Sequence, residues 1–488
     1  MAGIDKKFLA LFLIIISIFL IASVYYYHKT VQEDTSMSWV DFRVYYSAGA
    51  GLEADMNIYD MGIEYFVYKY TPVFALAISV INLTAITPAY ALGVWYFILF
   101  LSFTLCAYLT KEMLFFPAPP RGIRFFDIIP LLFAFRYLIL INFISSYLPI
   151  QWPTFIHVYD FVLLYLLIPS YVLSLFYVSP KRRLFLKEHA SEKGADKNYL
   201  IIMPLAILFI LRFLVLNIDR AQVNILILLL LFFFVYYFTN KKDTLCGIYL
   251  GIAIAIKLTP VIFLVLLLIK KRFKAAISAI AAFAALLFIP CFRWGINANS
   301  KMLSDWLGVL RDTFPSEYLQ HKNQSLMAAI SRLFSVNSDI SLLKFDGIYL
   351  TWIVVFVYAV FMLITLYAAM KKSRAPAREA ELWDLGLFFL AMTVLSPVGT
   401  KTTFVYILLP VVLLIREAFR KGLTDRIINT GLLAYVSLVY LNSSDIIGNF
   451  STTLHKYSLM TFCILIIFAL TVYAKHGMTP VRPPALQK

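Results

Sequence analysis

Apolar residues in this chain do not alternate with polar ones; they run together in blocks. Among them are Phe8–Tyr27, Leu200–Leu216, Ile225–Phe238, Ala275–Phe292, Ile348–Met370 and Leu459–Tyr473. A helix rises about 1.5 Å per residue, so about 20 apolar residues cross about 30 Å of hydrocarbon. Blocks near that length recur from one end of the chain to the other. Spanning strands would show short alternating segments instead, and none is visible. The pattern predicts an all-α, polytopic integral membrane helical bundle of roughly 10 to 13 spans.

The polar segments between the blocks set orientation, because cytoplasmic loops carry an excess of Lys and Arg. The segment Ser179–Asn198 holds Lys181, Arg182, Arg183, Lys187, Lys193 and Lys197 and reads as cytoplasmic. Lys241-Lys242 and Lys270-Lys271-Arg272 read the same way, yet Leu245–Ile269 between them looks like one span. Lys257 and Pro260 interrupt that block, so a re-entrant pair of half-helices resolves the conflict. The conflict recurs where basic residues flank Leu382–Leu395 and Thr402–Ile415, two short pieces separated by Ser396-Pro397-Val398-Gly399. Broken helices at membrane depth are tolerated where they line a cavity or are buried in protein. Two of them, each with a lysine, predict a polar site within the membrane. The chain then reads as a single domain, 1–488, with extracytoplasmic loops at about 28–70 and 293–345 and a cytoplasmic tail at about 475–488. The stretch Pro72–Ile86 reads as either a short span or a dip.

Composition narrows the function classes. The chain is 61% hydrophobic and 14% charged, against about 25% charged in an ordinary soluble domain. Its net charge is +16, but the basic residues sit in short loops where they orient the protein, so nucleic acid is not an expected partner. The four cysteines, Cys106, Cys246, Cys291 and Cys463, lie in or beside apolar blocks without paired spacing and read as core fillers. The first apolar block follows Lys6-Lys7 and shows no small-residue cleavage site, so it reads as a retained anchor. No P-loop, dinucleotide turn, Gly-x-Ser-x-Gly or His-Glu-x-x-His is present, and the six histidines are not at metal spacing. Metal-independent chemistry without a cofactor is expected, as is insensitivity to chelators.

Three sets of residues carry candidate chemistry. Asp41 lies among interfacial aromatics after the first block; it reads equally as a solvated carboxylate or as the cap of a short interfacial helix. Arg136, Arg212, Lys257 and Lys401 fall within apolar stretches, where each costs about 2.5–3.5 kcal/mol unless paired, snorkelled or facing a cavity. Snorkelling accounts for Arg212, near Asp219 and Arg220. It fits Lys257 poorly, and a lipid phosphate is the natural partner there. Third comes His321-Lys322-Asn323-Gln324-Ser325 with Arg332 beyond it, which alone reads as a polar loop. Asn82, Asn323, Asn442 and Asn449 each begin an Asn-x-Ser/Thr sequon.

Taken in order, these pieces resemble membrane glycosyltransferases of the GT-C architecture, and most of all glycosyltransferase family 87. That family includes polyprenyl-phosphate-mannose-dependent α-mannosyltransferases of the phosphatidylinositol mannoside pathway. The resemblance rests on Asp41-Phe42 with Tyr45-Tyr46 and Tyr59-Asp60; on Tyr70-Thr71-Pro72-Val73-Phe74; and on Ala221-Gln222-Val223-Asn224. It rests also on Gly251-Ile252-Ala253 leading to Lys257-Leu258-Thr259-Pro260, and on Asn323-Gln324-Ser325 through Arg332 followed by Leu395-Ser396-Pro397. Two departures stand out. The family usually has Gly before the Gln-x-Asn, where this chain has Ala221. It often has a tryptophan and histidines after the Ser-Pro, where Gly399-Thr400-Lys401-Thr402-Thr403 follows here.

The resemblance implies an inverting hexosyltransferase of the inner or plasma membrane. Its donor would be a polyprenyl-phosphate sugar, its acceptor a glycolipid or glycan at the extracytoplasmic face. Asp41 matches the family's general base. Lys257, Lys401, Arg332, Gln222 and Asn224 become candidates for the donor phosphate, and Arg43, Tyr45, His321, Asn323 and Gln324 for substrate contacts. A pentofuranose donor remains open, and so does a transporter or flippase of a lipid-linked sugar. Transporters commonly carry matching interruptions in two halves, and no such halves are apparent here.

Overall fold

A computed structural model describes residues 40–63, 66–84, 88–114 and 199–477, with a few positions between 14 and 22. Arg136, the basic segment Ser179–Asn198, most of Phe8–Tyr27 and the tail beyond 477 lie outside the described residues. The described chain is mainly helical, with one two-residue antiparallel pair, β1 (Gly62–Ile63) with β2 (Phe66–Val67), and an isolated bridge between Ser335 and Phe345. In chain order the helices are α1 (Val40–Glu53), α2 (Pro72–Thr84), α3 (Pro88–Leu114), α4 (Tyr199–Asp219), α5 (Asn224–Thr239) and α6 (Asp243–Ile256). Next come α7 (Ile262–Ile269), α8 (Phe273–Phe288), α9 (Cys291–Glu317), α10 (Leu326–Phe334), α11 (Gly347–Met370) and α12 (Ala377–Val394). The last are α13 (Leu408–Arg420), α14 (Arg426–Leu441), α15 (Phe450–Lys456) and α16 (Leu459–His476), with a single helical turn, Ser444–Ile447, between α14 and α15.

Five of the described segments are long and apolar enough to cross a membrane: Ala91–Leu114, Ile201–Asp219, Gly347–Met370, Lys401–Arg420 and Leu459–His476. Five shorter apolar helices accompany them, α2 and α5 included. The surface of α11 shows the solvent it is built for. Ile348, Trp352, Val355, Phe356, Leu363, Tyr367 and Met370 are all at least half exposed and recur at helical spacing, which in water would be an aggregation hazard and in lipid is the contact face. The protein is an integral membrane protein.

Both predicted helix breaks are present. α6 stops at Lys257, whose backbone is extended at φ −147° and ψ 131°, and a short 3₁₀ turn (Thr259–Val261) leads into α7. Pro260 explains the stop, since it has no N–H to give the carbonyl of Ile256 and its ring would clash there. α12 likewise ends at Val394, and a 3₁₀ turn (Lys401–Ile407) opens α13. The segment 293–345, predicted as a loop, is largely helical, being built from most of α9 and all of α10. Within the stretch predicted as a short span or a dip, Pro72–Thr84 is a short helix, α2, of 13 residues.

Packing divides the chain into two compact units, one comprising Met1–Pro204, Asn217–Leu229 and Ile289–Leu303, the other Leu205–Leu216, Leu230–Phe288 and Ser304–Lys488. In the first, α1 packs closely on α2: a Cβ at Gly49 would fall 2.9 Å from the Ser79 backbone nitrogen, and Asn82 Nδ2 donates to Tyr46 O at 2.8 Å. In the second, α6 lies against α8 through Gly247 and Gly251, where a Cβ would run into Ala275 O and fall 2.5 Å from Ala279 O, respectively. Small residues four apart let two backbones approach this closely.

One buried charge in the second unit escaped the sequence pattern. Asp384 on α12 is 2% exposed and pairs with both Lys475 of α16, itself 1% exposed, and Lys270 at the end of α7. Lys475 Nζ also donates to the carbonyls of Ala368 and Ala369 on α11. Four helices are thereby joined through ionic and charge-assisted bonds, with one buried carboxylate shared by two lysines.

Candidate functional site

In the first unit α1 carries Asp41 in its first turn, the location that favours a carboxylate at a helix N-terminus. One turn later, on the same face, comes Tyr45. Asp41 is half-buried, with Oδ2 shielded from solvent. The Tyr45 hydroxyl lies 2.9 Å from that of Tyr70 and 3.5 Å from Gln222 Oε1. Tyr59 donates to Tyr70 O at 2.9 Å and holds that residue in place. Tyr45, Tyr70, Phe74 and Trp95 form a continuous set of ring contacts at 5.0–6.3 Å. Arg43 is only two positions from Asp41 and so points to a different side of α1, part-exposed.

The same aromatic group fixes Gln222 and Asn224. Trp95 Nε1 donates to Ala221 O at 2.7 Å, pinning the turn between α4 and α5. Ala221 adopts φ 51°, a left-handed conformation, which is the physical reason glycine suits that position. Beyond the turn, Asn224 Nδ2 donates to Asn217 Oδ1 at 3.2 Å and to Gln222 Oε1 at 3.4 Å. Three patterns distant in the chain thus converge around Asp41 within one unit. Burial, with Tyr70 and Asp41 beside it, pushes the Tyr45 hydroxyl well above its ordinary range; burial and Asp41 push Tyr70 up as well. Both phenols therefore stay protonated and able to donate at any physiological pH.

The second unit brings together the remaining patterns. Asn323 Nδ2 donates to Pro397 O at 3.0 Å, while its Oδ1 accepts from the backbone N–H groups of Gly399 at 2.9 Å and Ser325 at 3.1 Å. Ser325 caps α10 by accepting from Ala328 N and donates to Pro397 O, both at 3.1 Å. Gln324 Nε2 donates to His321 O at 2.7 Å and His455 O at 2.8 Å. The Asn-Gln-Ser triplet is therefore a bolt across the break between α12 and α13, two residues before Lys401.

Arg332, expected to meet a phosphate, is 3% exposed and donates to Lys456 O at 2.9 Å, Gln320 O at 2.7 Å and Ser458 Oγ at 2.6 Å. It is a clamp between α10 and the turn joining α15 to α16, where Ser458 sits at φ 61°. Burial lowers its pKa to about 10, still charged at neutral pH. Asn323 and Gln324, expected at substrate, likewise make internal contacts. Arg212, half-buried, donates to Val439 O on α14. Lys257, part-exposed, forms the C-cap of α6.

What results is a cationic nest. His455 on α15 feels, in falling order after burial, Lys401, Arg212, His321 and Arg332, and its pKa is lowered to about 3. His321 is also lowered, by burial first and then by Lys322, Arg332, Lys456 and Lys401. Sequence reasoning passed over His455 because its neighbours come from four distant segments and it has no spacing signal of its own. Among the described residues, no three His, Cys, Asp or Glu side chains are grouped to hold a metal ion.

The profile of glycosyltransferase family 87 matches residues 146–397, just over half of the chain. The chain belongs to that family. The match takes in Gln222 and Asn224, Lys257, the Asn-Gln-Ser bolt and Pro397, while Asp41, Lys401 and His455 lie outside it. No curated protein and no solved structure matches the chain. Family 87 proteins are glycosyltransferases, so this integral membrane protein is a glycosyltransferase.

Proposed function

We propose that this family 87 enzyme moves a hexosyl residue, mannosyl by resemblance, from a polyprenyl-phosphate sugar to a glycolipid or glycan acceptor at the extracytoplasmic face. The observation that carries this reading is the half-buried Asp41 carboxylate, set one helical turn from Tyr45 and beside Tyr70 in the unit that also holds Gln222 and Asn224. The acceptor hydroxyl gives its proton to Asp41 as its oxygen attacks the anomeric carbon. The bond from that carbon to the phosphate oxygen breaks, and its electron pair leaves with the polyprenyl phosphate. Configuration inverts. Lys401 and Lys257 act as the phosphate cations, with fixed positive groups stabilising charge as it grows. Arg332, Asn323 and Gln324 hold the frame.

Purified full-length protein in detergent, given a polyprenyl-phosphate mannose and a phosphatidylinositol-based glycolipid, should form glycosylated product and free polyprenyl phosphate in equal amounts. Asp41→Asn should lower turnover by about 10²–10⁴-fold, the range for a positioned base, with an unchanged melting curve. Near-wild-type turnover in that variant would remove Asp41 from the mechanism. Translocation of the lipid-linked sugar without release of polyprenyl phosphate would make the protein a flippase instead.

A further inference from the structure

His455 is 7% exposed, and its Nε2 is buried without a hydrogen-bond partner. A polar ring nitrogen in that position is costly until it finds a hydrogen-bond partner. The backbone that carries the ring is firmly held. Gln324 Nε2 bonds the His455 carbonyl, Arg332 bonds the next carbonyl along at Lys456, and Thr461 Oγ1 returns to Gln324 O at 2.8 Å. The basic groups whose electrostatic influence reaches it are Lys401 from the 3₁₀ turn, Arg212 from α4, His321 from its loop and Arg332 from α10. Lys456 adjoins it on its own helix and Lys322 adjoins His321. Every one of these neighbours is basic. A buried ring nitrogen without a hydrogen-bond partner, set in a field of positive charge, fits a phosphate oxygen.

We infer that His455 is a phosphate-binding residue of the lipid donor, giving its Nε2–H as a neutral imidazole to a non-bridging oxygen beside Lys401. This rests on the donor class proposed above. The surrounding cations explain why neutrality is built in. They supply the attraction for the anion and simultaneously keep the imidazole from taking a proton, so the site holds phosphate with the same strength across the working pH range. An imidazolium would instead lose its grip as pH rose through neutrality.

The probe is a farnesyl methyl phosphodiester, which keeps a single negative charge throughout pH 5.5–8.5 and carries an isoprenoid tail. Its affinity for the full-length protein in detergent is measured by calorimetry. His455→Phe should weaken binding about tenfold, the loss of a hydrogen bond to a charged group at about 1.4 kcal/mol. His455→Gln, which restores a neutral donor, should return affinity to within about threefold of wild type. Wild-type affinity should be flat with pH. Unchanged binding in the Phe variant, or a wild-type affinity that falls tenfold between pH 6 and 8, would overturn the assignment. If the Phe variant fails to fold, the pH profile of the wild type and the Gln variant decide the matter alone. Inorganic phosphate and a short-chain phosphatidate are run alongside; tighter binding of phosphatidate than of the isoprenoid ester would reassign the site to a phospholipid and overturn it as a donor site. Because no transfer is measured, a failed glycosyl-transfer assay with His455-dependent binding would sink the Asp41 mechanism and leave this inference standing.

Discussion

Asn323 Oδ1 accepts the backbone N–H of Gly399 at 2.9 Å, and through this bond the start of α10 is fastened to the break between α12 and α13. The same side chain donates to Pro397 O, so one amide satisfies both sides of an interrupted helix. A helix break leaves backbone groups that must find partners away from water. Here they find them in a residue from another part of the chain.

Replacing Asn323 by leucine removes these partners while keeping bulk. Each buried group left unsatisfied costs about 1–3 kcal/mol, so a drop of several degrees in melting temperature is expected, with weakened transfer. A thiol-reactive dye suits the measurement, since Cys106, Cys246 and Cys463 are free and buried until the fold opens. Melting within one degree of wild type would show that the bolt is dispensable.

Ala221 to glycine should stabilise. The left-handed backbone at φ 51° costs a Cβ-bearing residue roughly 1–2 kcal/mol, and glycine gives back part of that through its larger unfolded-state entropy. A net gain of about 1 kcal/mol or less is the expected outcome, visible as a small rise in the same melting assay.

Gly251 and Gly308 should respond oppositely to alanine. At Gly251 the new methyl lands 2.5 Å from Ala279 O, forcing α6 and α8 apart, whereas at Gly308 nothing lies within 4 Å. Overpacking of this kind costs about 1–3 kcal/mol. The helical Gly308 should gain about 0.5–1 kcal/mol from the better helix former. Equal melting temperatures for the two variants would mean the close approach is not maintained.

Asp384 to leucine leaves Lys475 buried, with only carbonyls to balance its charge. Removing one partner of a buried pair costs about 3–5 kcal/mol, a large share of a typical net stability. Poor yield and early melting are expected. A double variant, Asp384→Leu with Lys475→Met, should recover much of the loss, because no buried charge then lacks its partner; failure to recover would assign Asp384 a role beyond pairing.

The membrane class, the helical fold and the positions of both breaks were legible in the chain because each depends on local information. Block length against bilayer thickness decides the first two. Pro260 and Pro397 decide the breaks, since a proline withdraws its N–H wherever it lies. The glycosyltransferase resemblance was legible too, as short patterns in a fixed order. Only the tertiary structure decided what those patterns do for one another. It joined Asp41 and Tyr45 with Tyr70 and Gln222, set Arg332 as a clamp on the turn before α16, paired Lys475 with Asp384, and placed His455 among basic groups from other segments. The reason is physical: hydrogen bonds and charge act over a few ångströms in space. Which residues come that close is set by how the helices pack, not by how far apart they stand in sequence.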